Sequence, residues 1–255
     1  MSAEDLERVR RWEAERARRR GGKAVILIAR NVEGHAPVVD GRLAPDEWGD
    51  GLTLPSNPGV AFRLAYDSKN LYLCWTGRGA GPLANDGSDV RRLFKTGACL
   101  DFQLGVDDKA DPKRTAPARG DLRLLIAFVS RKPRVVLYQP VAPGAAPADA
   151  WSAHTDAGGT TRFDRVVVLD EGVAVAMTGD KDFTVEAAIP LKALSLAPKA
   201  GLRLKGDWGI LTSDDGRQVK ARAYWSNVTA TGTADEAVEA RLERKRPVKR
   251  IFPRD

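Results

Sequence analysis

Two tryptophans stand where an aromatic ring could meet a ligand. Trp151 lies between an Ala/Pro-rich stretch and His154, and Trp225 sits in RAYWSN between Arg222 and Asn227. An indole face stacks on the C–H-rich face of a pyranose ring, and planar groups such as guanidinium and carboxamide satisfy its hydroxyls. Trp151, Arg222, Trp225 and Asn227 are therefore the candidate ligand-binding residues, expected to meet at one end of the fold. Trp75 and Trp208 fall inside strand-like runs and are assigned to the core.

Other chemistry is less well provided for. Asp107, Asp108 and Asp111 form an acid-rich loop, which makes calcium the one cofactor the residues point to. Calcium takes six to eight oxygens, and this spacing fits no EF-hand. Cys74 and Cys99 lie in apolar runs with no CxxC or Cys/His zinc spacing. Buried free thiols and a Cys74–Cys99 bridge both remain open. Among the acids, Glu186, Asp207 and Asp214 do not define the paired carboxylates a glycosidase needs. No GxSxG, Walker A or GxGxxG motif occurs. The expectation is a protein that is not an enzyme.

The elements that must position these side chains are strands. Val60, Phe62, Leu64 and Tyr66 alternate, Asp67 to Asn70 supply turn residues, and Leu71, Leu73 and Trp75 resume the alternation. That pattern predicts a hairpin. Leu100, Phe102 and Leu104 make another strand face with Asp101 and Gln103 opposite, and Leu122 to Val129 reads as a central strand. Further strands are expected at 135–138, 166–169, 173–177, 183–189 and 208–212, and the last at 223–225. Pro190 stops the strand that carries Glu186, and Leu191 to Leu194 reads as a single helical turn. The stretches 77–90, 107–120 and 140–161 read as loops. Many short strands without a long interior helix predict an all-β fold, an antiparallel β-sandwich of jelly-roll type.

Composition sets the boundaries. The whole formal charge of +7 sits in residues 1–20 and 241–255, leaving the body between them neutral. A nucleic-acid groove would need basic residues gathered on that body, so no nucleic-acid partner is expected. The longest candidate apolar segment, Ala24 to Ala29, falls far short of the ~20 residues that span a bilayer. Residues 4–20 carry acids early and arginines late, which predicts a short N-terminal helix ended by Gly21-Gly22. The expected organisation is a basic helical extension at 1–22, a sandwich at 23–242 and a basic tail at 243–255.

Four segments in order carry a family resemblance. They are Asp40, Gly41, Leu43 and Trp48; then Asp67, Asn70, Leu71 and Tyr72; then Glu186, Ile189, Pro190 and Leu194; then Arg222 and Trp225. Over roughly residues 36–242 this order resembles carbohydrate-binding module family 9 and the wider DOMON-like group. The resemblance implies a non-catalytic domain that binds a carbohydrate or another small polar ligand. It also implies one unit of a larger exported protein, with an extracytoplasmic location. It offers two alternatives. One is a haem-b electron-transfer domain, for which Met177 with His35 or His154 would be the ligands. The other is a purely structural or adhesive sandwich. Met177 shares a strand face with Val173 and Val175, which reads as a core position.

Overall fold

The computed structural model describes residues 26–44, 46–111, 114, 116–154, 160–225 and 238–243. The proposed helix at 4–20, Asn227 and the basic tail beyond 243 lie outside them. The described residues form fifteen strands: β1 (Ile26–Asn31), β2 (Leu52–Leu54), β3 (Asn57–Tyr66), β4 (Asn70–Gly77), β5 (Cys99–Gly105), β6 (Asp121–Val129), β7 (Lys132–Gln139) and β8 (Trp151–His154) come first. They are followed by β9 (Thr160–Phe163), β10 (Arg165–Val168), β11 (Ala174–Gly179), β12 (Phe183–Pro190), β13 (Leu202–Thr212), β14 (Ala221–Tyr224) and β15 (Val238–Glu243).

Eleven of them follow one path, β10-β7-β6-β5-β13-β15-β1-β3-β4-β12-β11, with β14 added on β13 and β2 on β3. The path folds back on itself. β3 lies several strands from β5 and β13, yet the ring of Phe62 on β3 lies 5.7 Å from Phe102 and 5.1 Å from Trp208. The first layer is therefore β10-β7-β6-β5-β13-β14, the second is β2-β3-β4-β12-β11, and β15 and β1 turn the corner. Leu73, Trp75, Leu100, Leu124, Leu137, Val185 and Ile210 fill the space between, as the alternation of side chains across a pleated strand demands. This is the all-β sandwich the sequence predicts.

Two features differ from the sequence reading. β1 pairs in parallel with both β15 and β3, so the ladders are not all antiparallel. The last strand is not at 223–225 but at Val238–Glu243, inserted between β13 and β1. After β12 the amides of Ala193, Leu194 and Ser195 bond the carbonyls of Pro190, Leu191 and Lys192, the single turn the sequence predicts there.

Each layer also covers its outer face. On the second layer Trp48 packs with Ala65, Tyr72, Cys74 and Ala188. Trp48 Nε1 donates to Glu186 Oε1 at 2.8 Å, while the backbone amides of Gly41 and Asp40 donate to Oε2 at 2.8 and 3.1 Å. Gly41 has φ +79°, and a Cβ there would lie 3.0 Å from the backbone of Met177 and Thr178, so the segment approaches β11 only because it is glycine. On the first layer a second apolar cluster, including Phe94, Leu125, Val136, Tyr138, Phe163 and Tyr224, lies over the strands. That double cover explains why all seven residues of β5 are buried. Cys74 and Cys99 are buried free thiols on these two opposite outer faces, so no bridge joins them. Burial pushes the Cys74 thiol up to about 12.

Candidate functional site

Trp151 is not in an unpaired loop. It opens β8, which pairs antiparallel with β9 so that Trp151 stands opposite Phe163. An aromatic pair across two strands stabilises such a short hairpin. The two rings are stacked at 6.1 Å and 22°. Phe94, from the loop between β4 and β5, meets Trp151 edge-on at 5.5 Å and 83° and Tyr138 at 5.6 Å. The indole is partly buried, braced from two sides, with the remainder open to solvent.

Beneath this aromatic cover lies a buried polar group. Arg123 on β6 is 1% exposed and Asp101 on β5 is fully buried. Arg123 Nε and Nη2 donate to Asp101 Oδ2 at 2.9 and 2.6 Å, and the Tyr224 hydroxyl donates to the same oxygen at 2.5 Å. The guanidinium carbon stands 4.7 Å from the Phe94 ring centre, a cation–π contact. Burial works against the charged guanidinium, but Asp101 and Tyr224 hold its pKa above the ordinary value, so it stays charged. Burial, and then the Asp101 charge, drives the Tyr224 hydroxyl well above its usual range. Asp101 Oδ1 has no hydrogen-bond partner.

Of the sequence-predicted residues, Arg222 is exposed on β14, two residues before Tyr224, and therefore on the same face as the polar group. Trp225 is on the other side. Its ring stacks on Trp208 at 5.9 Å against the main core, and it is partly buried. The structure thus brings Trp151 and Arg222 to one face of the first layer and does not bring Trp225 to it. Asn227 lies outside the described residues. Asp101, Arg123, Tyr224, Phe94 and Phe163 were not singled out by the sequence. The available signal was Arg123 within an otherwise apolar strand.

Among the described residues no three His, Cys, Asp or Glu side chains come together as a ligand set. Asp107 Oδ1 accepts the Lys109 amide at 2.9 Å, and Asp108 pairs with Lys199 at 3.5 Å. Met177 packs with Val173 and Val175 against the main core, and His35 is exposed in a turn. No helix among the described residues is long and apolar enough to cross a membrane.

Two clefts open elsewhere. One, of about 340 Å³, lies on the outer face of the second layer and is lined by Arg63, Thr76, Arg78, Thr178, Asp182 and Thr184 among others. The other, of about 640 Å³, lies where loops from both layers meet at the end of the sandwich.

No family model matches the sequence, and no curated protein matches it. Solved structures do. A family 9 carbohydrate-binding module from Caldicellulosiruptor kristjanssonii in complex with cellotriose superposes with a TM-score of 0.51 at 14% identity, over 91% of this chain and 100% of that one. A structure of a family 9 module from the same organism in complex with glucose gives 0.52 at 14% identity, over 89% and 100%. The fold of this chain is that of the family 9 carbohydrate-binding modules.

Proposed function

We propose that this chain is a non-catalytic carbohydrate-recognition domain whose platform is Trp151. The observation that carries the reading is the indole itself. It is held by Phe94 and Phe163, it keeps part of its surface open, and it shares a face with exposed Arg222 and with the Asp101–Arg123–Tyr224 group. A ring already fixed loses little conformational freedom when a sugar stacks on it. Arg222 supplies planar donors for hydroxyls at the rim. The two structural neighbours were solved with cellotriose and with glucose, which makes neutral glucans the first ligands to test. The family resemblance further supports a place within a larger exported protein.

Titration calorimetry with glucose and cellotriose tests this. Binding is expected in the wild type, and the sugar is recovered unhydrolysed. Trp151→Ala is expected to weaken it by about tenfold or more, equivalent to about 1.4 kcal/mol of stacking. Arg222→Ala should have a smaller effect, and Trp225→Ala less still, because its ring leans on Trp208. Unchanged affinity in Trp151→Ala would remove the platform and with it the reading.

A further inference from the structure

The larger cleft differs in chemistry from the Trp151 face. It opens where the β5–β6 loop, the segment after β7, the start of β10 and the turn after β12 converge, and its volume of about 640 Å³ suits a small ligand. Neither Trp151 nor Arg222 borders it, and among the described residues no aromatic side chain does. A neutral sugar would find no flat ring to stack on. Val106, Val141 and Leu194 provide apolar wall instead, and the polar groups are dominated by two guanidiniums.

Arg165 Nη1 donates to Gln139 Oε1 at 3.0 Å. That bond fixes the guanidinium and leaves the rest of its five N–H donors for a ligand. Arg119, on the loop before β6, is exposed. Among the described residues the one carboxylate in the lining is Asp107, so the ionisable groups that line the cleft there sum to a single positive charge. Ser195 adds a hydroxyl on a rigid support. Its φ is +52°, held by the Leu196 amide bonding Leu191 O at 3.0 Å and its own amide bonding Lys192 O at 3.2 Å. Paired N–H groups of arginine match a carboxylate in two parallel hydrogen bonds, and a net charge of +1 favours a monoanion over a neutral molecule.

We propose that this cleft is a second ligand site, for a carboxylate-bearing saccharide such as a uronic acid. The carboxylate is taken by Arg165 and Arg119, and the ring hydroxyls by Gln139 and Ser195. The saccharide part rests on the carbohydrate reading above, whereas the anionic part rests on the lining alone.

Calorimetry on the full chain with D-glucuronate, D-glucose and acetate decides it. Glucuronate is expected to bind, with Arg165→Gln and Arg119→Gln each weakening it by about tenfold, as the loss of a charged hydrogen bond implies. Glucose binding should be unmoved by either change, and glucuronate binding unmoved by Trp151→Ala. Exposed Arg119 supports no packing, so its variant reports on the site even if Arg165→Gln were to unfold. Three results would overturn the proposal: glucuronate binding unmoved by both Arg165→Gln and Arg119→Gln, acetate as tight as glucuronate, or glucuronate lost in Trp151→Ala and kept in Arg165→Gln. If neutral sugars bind nowhere while glucuronate binds through Arg165, the second site stands and the Trp151 platform falls.

Discussion

Glu186 and Asp101 are both fully buried, each on the outer face of a different layer, and each is served by three donors. The donors are distributed differently. Glu186 receives one bond on Oε1 and two on Oε2, all from a single segment, residues 40–48, that must cross the strand face. It acts as a clasp, and both of its oxygens are used. Asp101 receives all three on Oδ2, from an arginine and a tyrosine, while Oδ1 has no partner. The contrast assigns the Glu186 face to holding the chain together. On the Asp101 face the three donors come instead from two strands, β6 and β14, and the indole of Trp151 packs on the same apolar cluster.

The sharpest way to break this comparison is to cut the Asp101 pair. Arg123→Met leaves a buried carboxylate uncompensated and should cost about 3–5 kcal/mol in a denaturant titration. Adding Asp101→Leu should recover most of that loss, since well-packed apolar residues commonly replace a buried ion pair without harm. The stable double variant then separates fold from recognition. It is expected to bind cellotriose more weakly than the wild type, because its loss is chemical rather than structural. If the double variant is as unstable as the single one, the pair serves the fold and the contrast with Glu186 disappears.

Trp48→Phe probes the other face. The ring is nearly conserved but Glu186 Oε1 loses its donor, for an expected cost of about 1–3 kcal/mol. The cost should depend on pH. Burial raises the Glu186 pKa above its ordinary 4.5, against the opposing bonds from Trp48, Gly41 and Asp40. A raised folded-state pKa means stability from this group is greatest below 4.5 and declines as pH rises through the folded value. Removing one donor to the charged form raises that pKa further, so the penalty of Trp48→Phe should grow from acid to neutral pH. A penalty that is flat between those conditions would show that the indole serves as packing only.

How much of this could be read in the sequence follows from what alternation encodes. Period two tells which face of a strand a residue is on, and it correctly put Asp101 opposite the main core. It does not tell what covers that face. Phe94, whose ring lies against Arg123, and Phe163 beside it come from distant segments, so the burial of the Asp101–Arg123 pair was not legible. The same rule, used fully, would have separated two of the candidates. Arg222 and Trp225 are three positions apart, and in a strand that spacing puts them on opposite faces, where the structure has them. Val238, Ala240 and Leu242 alternate with Glu239, Arg241 and Glu243, a strand signal obscured by its charge and by the basic sequence that follows. The hairpin at Asp67 was legible in full, because a turn is a local matter.

That hairpin gives the smallest effect and a sign test of the pH argument. Asp67 Oδ1 accepts the amides of Lys69 and Asn70 at 2.7 and 2.6 Å, and Oδ2 accepts the Tyr72 hydroxyl at 2.7 Å. Burial works to raise the pKa of Asp67, but the bonds from Tyr72, Asn70 and Lys69 outweigh it and lower it below 3.8. A depressed pKa contributes stability above the unfolded value and loses it as pH falls through the folded one. Tyr72→Phe removes the bond to Oδ2 alone and should cost about 1 kcal/mol at neutral pH, shrinking in strong acid as Asp67 is protonated. Both penalties therefore fade toward acid, but at different places: that of Trp48→Phe above 4.5, that of Tyr72→Phe below 3.8. Denaturant midpoints of the two variants measured across that interval would resolve them. If the Tyr72→Phe penalty faded first as the pH is lowered, burial rather than hydrogen bonding would control Asp67, and the clasp at Glu186 would no longer be the exceptional carboxylate of the second layer.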